Sequence, residues 1–258
     1  MLIDYTQENI SNSLIQCGIK RGDSVFIHSN IGFFGNLKNA NRKEDFYQSF
    51  KEAILEVIGE EGTIIVPAFS YTFCNKEIFN VRTTKGVCGF FSEQLRLDPT
   101  AFRSEDANFS VAALGRRASF FTENVPEYSF GYDSFWDRFL KNKGVICNFN
   151  FDAGSTFIHY VERSLKVPYR YDKPFPGILV NAEGKEEKRV FYHFVYDLNT
   201  PELIANFERF SSLVLEKRIA TTSNLGKGRI TKINAEDVYD FIETQIKFEP
   251  YFLTAKGR

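Results

Sequence analysis

The strongest constraint on the fold is a strand, helix, strand succession between Ser24 and Pro67. Ser24-Val25-Phe26-Ile27-His28 is a short apolar run, and Lys43 to Ile58 carries Phe46, Phe50, Ile54 and Val57 at helical spacing. Gly59 and Gly62 close that helix, and Thr63-Ile64-Ile65-Val66-Pro67 follows as a second apolar strand. Two such strands joined through a helix predict a βαβ crossover, and hence a sheet with helices on its faces.

The rest of the chain extends this pattern. Gly144 to Phe149 reads as a third strand, and Glu183-Gly184 separates Ile178–Asn181 from Lys188–Tyr196 as an evident hairpin. Helices are expected over Thr6–Cys17 (ended by Gly18), near Phe91–Leu97, over Ser134–Leu140, around Pro201–Val214 and over Ala235–Ile246, with a strand near Arg229–Ile233. The expected class is α/β: a central mixed sheet flanked by helices, an α/β/α sandwich, with a C-terminal hairpin elaboration. With no internal repeat and no linker of disordered composition, residues 1–258 are read as one domain.

Charge and cysteine usage remove several function classes. The 32 basic and 33 acidic residues are interspersed, so the basic stripe of a nucleic-acid binder is missing. No apolar stretch is long enough for a membrane span, and MLIDYTQENI has acids and polar residues where a signal peptide would be basic and then apolar. Cys17, Cys74, Cys88 and Cys147 lack metal-ligand spacing, so neither a metal site nor a disulfide framework is indicated. These features fit a cytoplasmic protein with reduced thiols; whether it forms a homo-oligomer is left open.

Three loops follow apolar strands and contain small hydroxyl residues: His28-Ser29-Asn30, Phe69-Ser70-Tyr71 and Asp152 to Thr156. The carboxyl ends of parallel strands are the usual ligand crevice of an α/β sheet, and these loops could line one cleft. The segment from Gly154 to Glu162 sets His159 and Glu162 three residues apart, on one face of a helix capped by Ser155 or Thr156. An imidazole oriented by a carboxylate is suited to taking a proton from an amine; the competing reading is a capping box with a packed histidine. Arg103-Ser104-Glu105-Asp106, followed by Asn108 and Ser110, could meet an ionic substrate and a phosphate, or be a polar loop. Cys147 lies inside an apolar strand and reads as packing. No glycine-rich phosphate loop and no Gly-x-Ser-x-Gly elbow occurs.

Taken together these motifs resemble the aminoglycoside 3-N-acetyltransferase family. The likeness rests on Gly22 to Ser29 (a strand ending in His-Ser), Gly62 to Pro67, Arg103-Ser104 with Phe109 to Gly115, and Ser155 to Glu162 with Pro168-Tyr169-Arg170. It runs from about Gly22 to Arg170 and more weakly beyond. Where the family often has His-Pro, this chain has Asp106-Ala107, and Asn30 replaces a second serine. Asp106 resembles members attached to amino-sugar and surface-polysaccharide pathways. The resemblance therefore implies acetyl transfer from acetyl-coenzyme A to an amino sugar, free or nucleotide-linked, with an aminoglycoside as the alternative acceptor. It implies His159 as general base with Glu162 as its orienting carboxylate. Asp106, Glu105 and Tyr71 would hold the acceptor, and Ser29, His28, Ser70, Arg103, Ser104 and Ser110 the coenzyme. No metal is called for. Two other classes stay in play: a thioester hydrolase using His159 with water or Cys147, and a non-catalytic carbohydrate-binding protein.

Overall fold

The computed structural model describes residues 3–257; Met1, Leu2 and Arg258, which the single-domain expectation takes in, lie outside the described residues. In chain order the elements are α1 (Gln7–Cys17), β1 (Ser24–Ser29), a 3₁₀ turn (Ile31–Phe34), α2 (Lys43–Ile58), β2 (Thr63–Pro67), β3 (Phe79–Asn80), α3 (Phe90–Leu97) and β4 (Phe102–Arg103). They continue as β5 (Val111–Gly115), α4 (Ala118–Thr122), α5 (Phe135–Lys141), β6 (Val145–Phe149), α6 (Phe157–Ser164), β7 (Tyr171–Val180) and β8 (Glu186–Val195). A second 3₁₀ turn (Pro201–Leu203), α7 (Glu208–Glu216), β9 (Thr221–Leu225), β10 (Gly228–Asn234) and α8 (Ala235–Phe248) complete the order.

The main sheet runs β4-β5-β2-β1-β6-β10-β9. Strands β2, β1 and β6 are parallel, and antiparallel strands extend the sheet on both sides. Period-two alternation divides the apolar residues of the central strands between two cores. Phe26, Ile65 and Ile146 face one layer, where Trp136, Phe139, Phe157, Phe210 and Ile242 of α5, α6, α7 and α8 pack. Val25, Ile27, Ile64, Val66 and Cys147 face the other, against Leu14, Phe50 and Phe91 of α1, α2 and α3. This is the α/β/α sandwich with a mixed sheet that the sequence predicts. Phe26 is fully buried, with its ring 5.1 Å from Trp136, so truncating it to Ala would cost about 3–5 kcal/mol.

A second, three-stranded sheet, β3-β7-β8, carries the hairpin. Its ten residue pairs run from Tyr171↔Val195 to Val180↔Glu186, and Gly184 turns the chain at φ 84°. The first strand therefore starts seven residues earlier than the expected Ile178, through Pro174 and Pro176. The geometry explains why the prolines are tolerated. Tyr192 uses its N–H and C=O on Glu127 and Ser129, beyond β8, so the Tyr192–Pro174 pair is not hydrogen-bonded. The missing N–H of Pro174, and by the same period that of Pro176, falls on the outer edge of β7. Two further differences concern the C-terminal half. The helix expected from Pro201 to Val214 is a 3₁₀ turn and then α7, and β9 is a polar strand without an apolar signal.

Candidate active site

His159 is placed by the segment between β6 and α6. Asn148, buried in β6, donates from Nδ2 to the carbonyls of Asp152 and Gly154, which clamps the loop that leaves the strand. Ser155 Oγ accepts from the Phe157 N–H at the start of α6 and lies 3.1 Å from His28 Nε2. Burial pushes the His28 imidazole down to about 4, so it is neutral and acts as a strut between β1 and this loop. That is the structural role that rivals the coenzyme contact expected of it.

From α6, His159 Nδ1 stands 2.7 Å from Glu162 Oε2. Glu162 does not cap the helix; it is fully buried, accepts from Tyr169 Oη on Oε1 at 2.9 Å, and has Arg170 Nε 3.0 Å from Oε2. Burial alone would raise the Glu162 carboxyl. The hydrogen bond from His159, the charges of His159 and Arg170 and the Tyr169 hydroxyl overcome it, and the carboxyl is held below its ordinary value. An ionised Glu162 can only accept, so His159 carries its proton on Nδ1 and presents the Nε2 lone pair. The His159 side chain is 22% exposed and lines a cavity of about 520 Å³.

That cavity is walled by Phe109 and Phe130 on one part and by the hairpin and the segment after it on another, through Phe175, His193 and Tyr196. Tyr71, expected at the acceptor, also lines it. Asp106 and Glu105 do not. Asp106 is turned back on its own loop, where Oδ1 accepts from the Asn108 and Phe109 N–H groups. Burial raises the Glu105 carboxyl, with Glu187 and Glu183 of the hairpin adding to it and Arg189 opposing it.

The expected coenzyme residues divide sharply. Arg103 donates from Nε to Ser110 Oγ, from Nη1 to the Val81 and Thr84 carbonyls and from Nη2 to the Ala68 carbonyl, with its Cζ 4.8 Å from the Phe79 ring centre. Ser110 donates to the Ala68 carbonyl, Ser104 Oγ accepts from the Val111 N–H, and Ser70 donates to the Ala107 carbonyl. These four residues stitch the connection after β2 to the segment before β5, and none of them lines either the His159 cavity or the one at the carboxyl ends of β1 and β6. Ser29 differs, for its buried hydroxyl has no hydrogen-bond partner among the described residues.

A second cavity, of about 600 Å³, lies at the carboxyl ends of β1 and β6. It is lined by Asn30 and Asn150, the exposed rings of Phe33 and Phe151, and Lys227 and Arg229 from β10 and the turn before it. Lys227 pairs with Asp4 at 3.2 Å, and Arg229 pairs with Asp152. The segment that brings Asp152 into this cavity carries His159 into the other.

Sequence reasoning left Arg170, Lys173 and His193 out of the site. Arg170 was signalled by the Pro-Tyr-Arg motif. His193 sits between Tyr192 and Phe194 in an alternating strand, and alternation does not say which face meets a cavity. Cys147 is buried within β6 and its thiol is pushed well up, which leaves no nucleophile there. No group of three or more His, Cys, Asp or Glu side chains suited to a metal ion occurs among the described residues, and none of their helices is long and apolar enough to cross a membrane.

A mixed α/β sandwich with a His–Glu pair at the mouth of a cavity, and a polar cavity beside it, has the form of an acyl-transfer enzyme. The chain belongs to the aminoglycoside 3-N-acetyltransferase family, whose sequence model matches residues 26–247; it is a family of acyltransferases that use acetyl-coenzyme A. The SPbeta prophage-derived aminoglycoside N(3')-acetyltransferase-like protein YokD of Bacillus subtilis (strain 168) is 25% identical over 191 residues, a match spanning 64% of this chain and 66% of that protein. Among solved structures, aminoglycoside acetyltransferase AAC(3)-Xa superposes with a TM-score of 0.80 at 22% identity, covering 94% of this chain and 92% of that one. AAC-VIa bound to sisomicin gives 0.79 at 21% identity, over 93% and 97%. AAC-IIIb in a binary complex with coenzyme A gives 0.78 at 18%, over 94% and 96%.

Proposed function

We propose that the protein transfers the acetyl group of acetyl-coenzyme A to an amine of an aminoglycoside. The observation that carries the reading is the His159–Glu162 pair opening onto the cavity. The acceptor reading follows the family and its relatives, which favour an aminoglycoside over the amino sugar of a polysaccharide pathway expected from Asp106. Asp106 does not line the cavity; its Oδ1 accepts from the Asn108 and Phe109 N–H groups.

An ammonium group cannot attack a thioester until it loses a proton. His159 Nε2 takes that proton, a role that contributes about 10²–10⁴-fold in such enzymes. Glu162, ionised and immobile, holds the ring in the Nδ1–H tautomer and stabilises the imidazolium that forms. The amine nitrogen bonds to the acetyl carbon and the carbon–sulfur bond breaks; of the two protons the ammonium loses in becoming an amide, one passes through His159 to the departing thiolate and the other leaves to solvent. No protein nucleophile is required.

The coenzyme supplies the acetyl group as a thioester, and the second cavity has the chemistry to hold its nucleotide end. Phe33 and Phe151 offer exposed faces for an adenine, and Lys227 and Arg229 offer charge to phosphates.

The test is thiol release from acetyl-coenzyme A with a panel of aminoglycosides and of free and nucleotide-linked amino sugars. Release that depends on an aminoglycoside and is lost in His159→Ala supports the reading. Release only with a nucleotide-linked sugar moves the acceptor to that class, and release without any amine makes the protein a hydrolase. Absence of coenzyme binding removes the reading altogether.

A further inference from the structure

A second histidine lines the acceptor cavity, and its protonation pattern can be read from its neighbours. His193, on β8, is 3% exposed, with its ring stacked on Phe175 at 4.6 Å and meeting Phe109 edge-on at 4.8 Å. Its Nε2 lies 2.9 Å from Asn108 Nδ2. The orientation of that amide is fixed independently, because the Cys74 backbone N–H donates to Asn108 Oδ1 at 3.1 Å. The remaining amide atom is therefore an NH₂ group, which can only donate. His193 Nε2 accepts, and the neutral ring carries its proton on Nδ1. Burial, opposed by the charge of Asp106, pushes the imidazole below its ordinary value, which agrees with a neutral ring.

Among the described residues the Nδ1–H has one hydrogen-bonding contact, Cys74 Sγ at 3.8 Å. A thiol sulfur is a weak acceptor, so a ring more than nine-tenths buried is left holding a donor of fixed direction with no strong partner. The same geometry excludes a cysteine protease-like use of Cys74, His193 and Asn108. A ring already protonated on Nδ1 cannot take the thiol proton, and burial together with Asp106 pushes the Cys74 thiol up.

We propose that His193 is a specificity residue: its Nδ1–H donates a hydrogen bond to a hydroxyl or ether oxygen of the acceptor. The proposal rests on the acetyl-transfer reading. An N–H donor cannot accept from an ammonium group, so His193 selects an oxygen, not an amine, at the position it meets on a ligand whose other substituents are amines. The reacting amine goes to His159, and His193 sets which amine that is by fixing the sugar's register.

Two measurements test this. In protein carrying ¹⁵N-labelled histidine at pH 7.5, the three imidazoles can be assigned with His28→Asn and His159→Asn. The His193 ring should show a protonated Nδ1 and a bare Nε2, and its Nδ1 signal should move on adding an aminoglycoside but not on adding coenzyme A. In kinetics, His193→Phe should raise the acceptor KM roughly tenfold, the effect of one hydrogen bond, with the coenzyme KM unchanged. His193→Asn, which keeps an N–H near the Nδ1 position, should restore most of the loss and covers the case in which the Phe variant does not fold. A ring protonated on Nε2, an acceptor KM indifferent to His193→Phe, or a rise confined to the coenzyme KM would each overturn the assignment. If the wild-type protein releases no thiol with any aminoglycoside, the acetyl-transfer reading fails on its own terms. The aminoglycoside titration of the His193 signal then decides the binding role, movement supporting it and constancy overturning it.

Discussion

Tyr169 Oη donates to Glu162 Oε1 at 2.9 Å, on the carboxylate oxygen that His159 does not use. Both oxygens of a fully buried carboxylate are thereby occupied, and the one that meets His159 cannot rotate away. Tyr169→Phe should leave Oε1 short of a donor at a cost of about 1–3 kcal/mol of stability. Thermal unfolding should show that loss, and kcat should fall with little change in either KM, because the ring of His159 is less firmly held.

Glu162→Gln removes the charge while keeping the shape. An amide at this site can no longer stabilise the imidazolium, and it leaves Arg170, 4% exposed, facing no carboxylate. Steady-state kinetics should show kcat reduced by about 10²–10⁴-fold with acetyl-coenzyme A binding retained. A variant with near-normal kcat would remove the pair from the chemistry.

His28 makes stability depend on pH in a defined window. Its folded value, about 4, lies below the ordinary 6.5, so on acidification the unfolded chain takes up the proton first. The contribution of the neutral ring is complete above about pH 6.5 and fades as pH falls to 4, by no more than about 3 kcal/mol. Glu162 acts in a separate, more acid range, because its lowered carboxyl contributes fully above the ordinary carboxyl value and is lost only as pH falls below it. Melting temperatures at pH 7.5 and pH 5 should therefore converge in His28→Asn relative to the wild-type chain; an equal drop in both would contradict the assignment.

Arg103 and Arg229 should separate by phenotype. Arg103→Lys loses a planar fork that reaches the Ala68, Val81 and Thr84 carbonyls together, and should cost about 2–3 kcal/mol of stability without altering the coenzyme KM of the folded protein. Arg229→Ala, at an exposed site on the second cavity, should leave the melting temperature nearly unchanged. It should raise the coenzyme KM about three- to fivefold, as expected of a solvent-screened charge contact.

The parts of the fold set by local pattern were legible in the sequence. β1, α2 and β2 are bounded by apolar periodicity and glycine, and Thr6 and Gly18 mark the ends of α1 by capping chemistry that acts within a few residues. The His159–Glu162 pair was legible for the same reason, since both residues lie on one helix. What was not legible depends on contacts that form only in the folded chain. Nothing near Arg103 reveals that carbonyls from the segments around Ala68 and Thr84 will surround it, and nothing near Asp106 reveals that it will accept from the Asn108 and Phe109 N–H groups of its own loop. Pro174 and Pro176 argue against a strand unless the free edge of β7 is known. His193 becomes interpretable only once Asn108 and Cys74, far away in sequence, are brought beside it.

The cavity that His159 lines draws on stretches of chain with different obligations. The segment that presents His159, from Asn148 to Tyr169, is locked by buried polar bonds that tolerate little change. Part of the cavity wall belongs to the hairpin of Tyr171–Val195, where β7 is paired on its outer side only at Leu179 and Val180 and so accepts proline over the rest of its length. The wall can therefore change in shape and polarity at little cost to the buried bonds that hold the His159–Glu162 pair. Grafting the hairpin of one family member onto another is the corresponding route to changing what the cavity admits while leaving that pair in place.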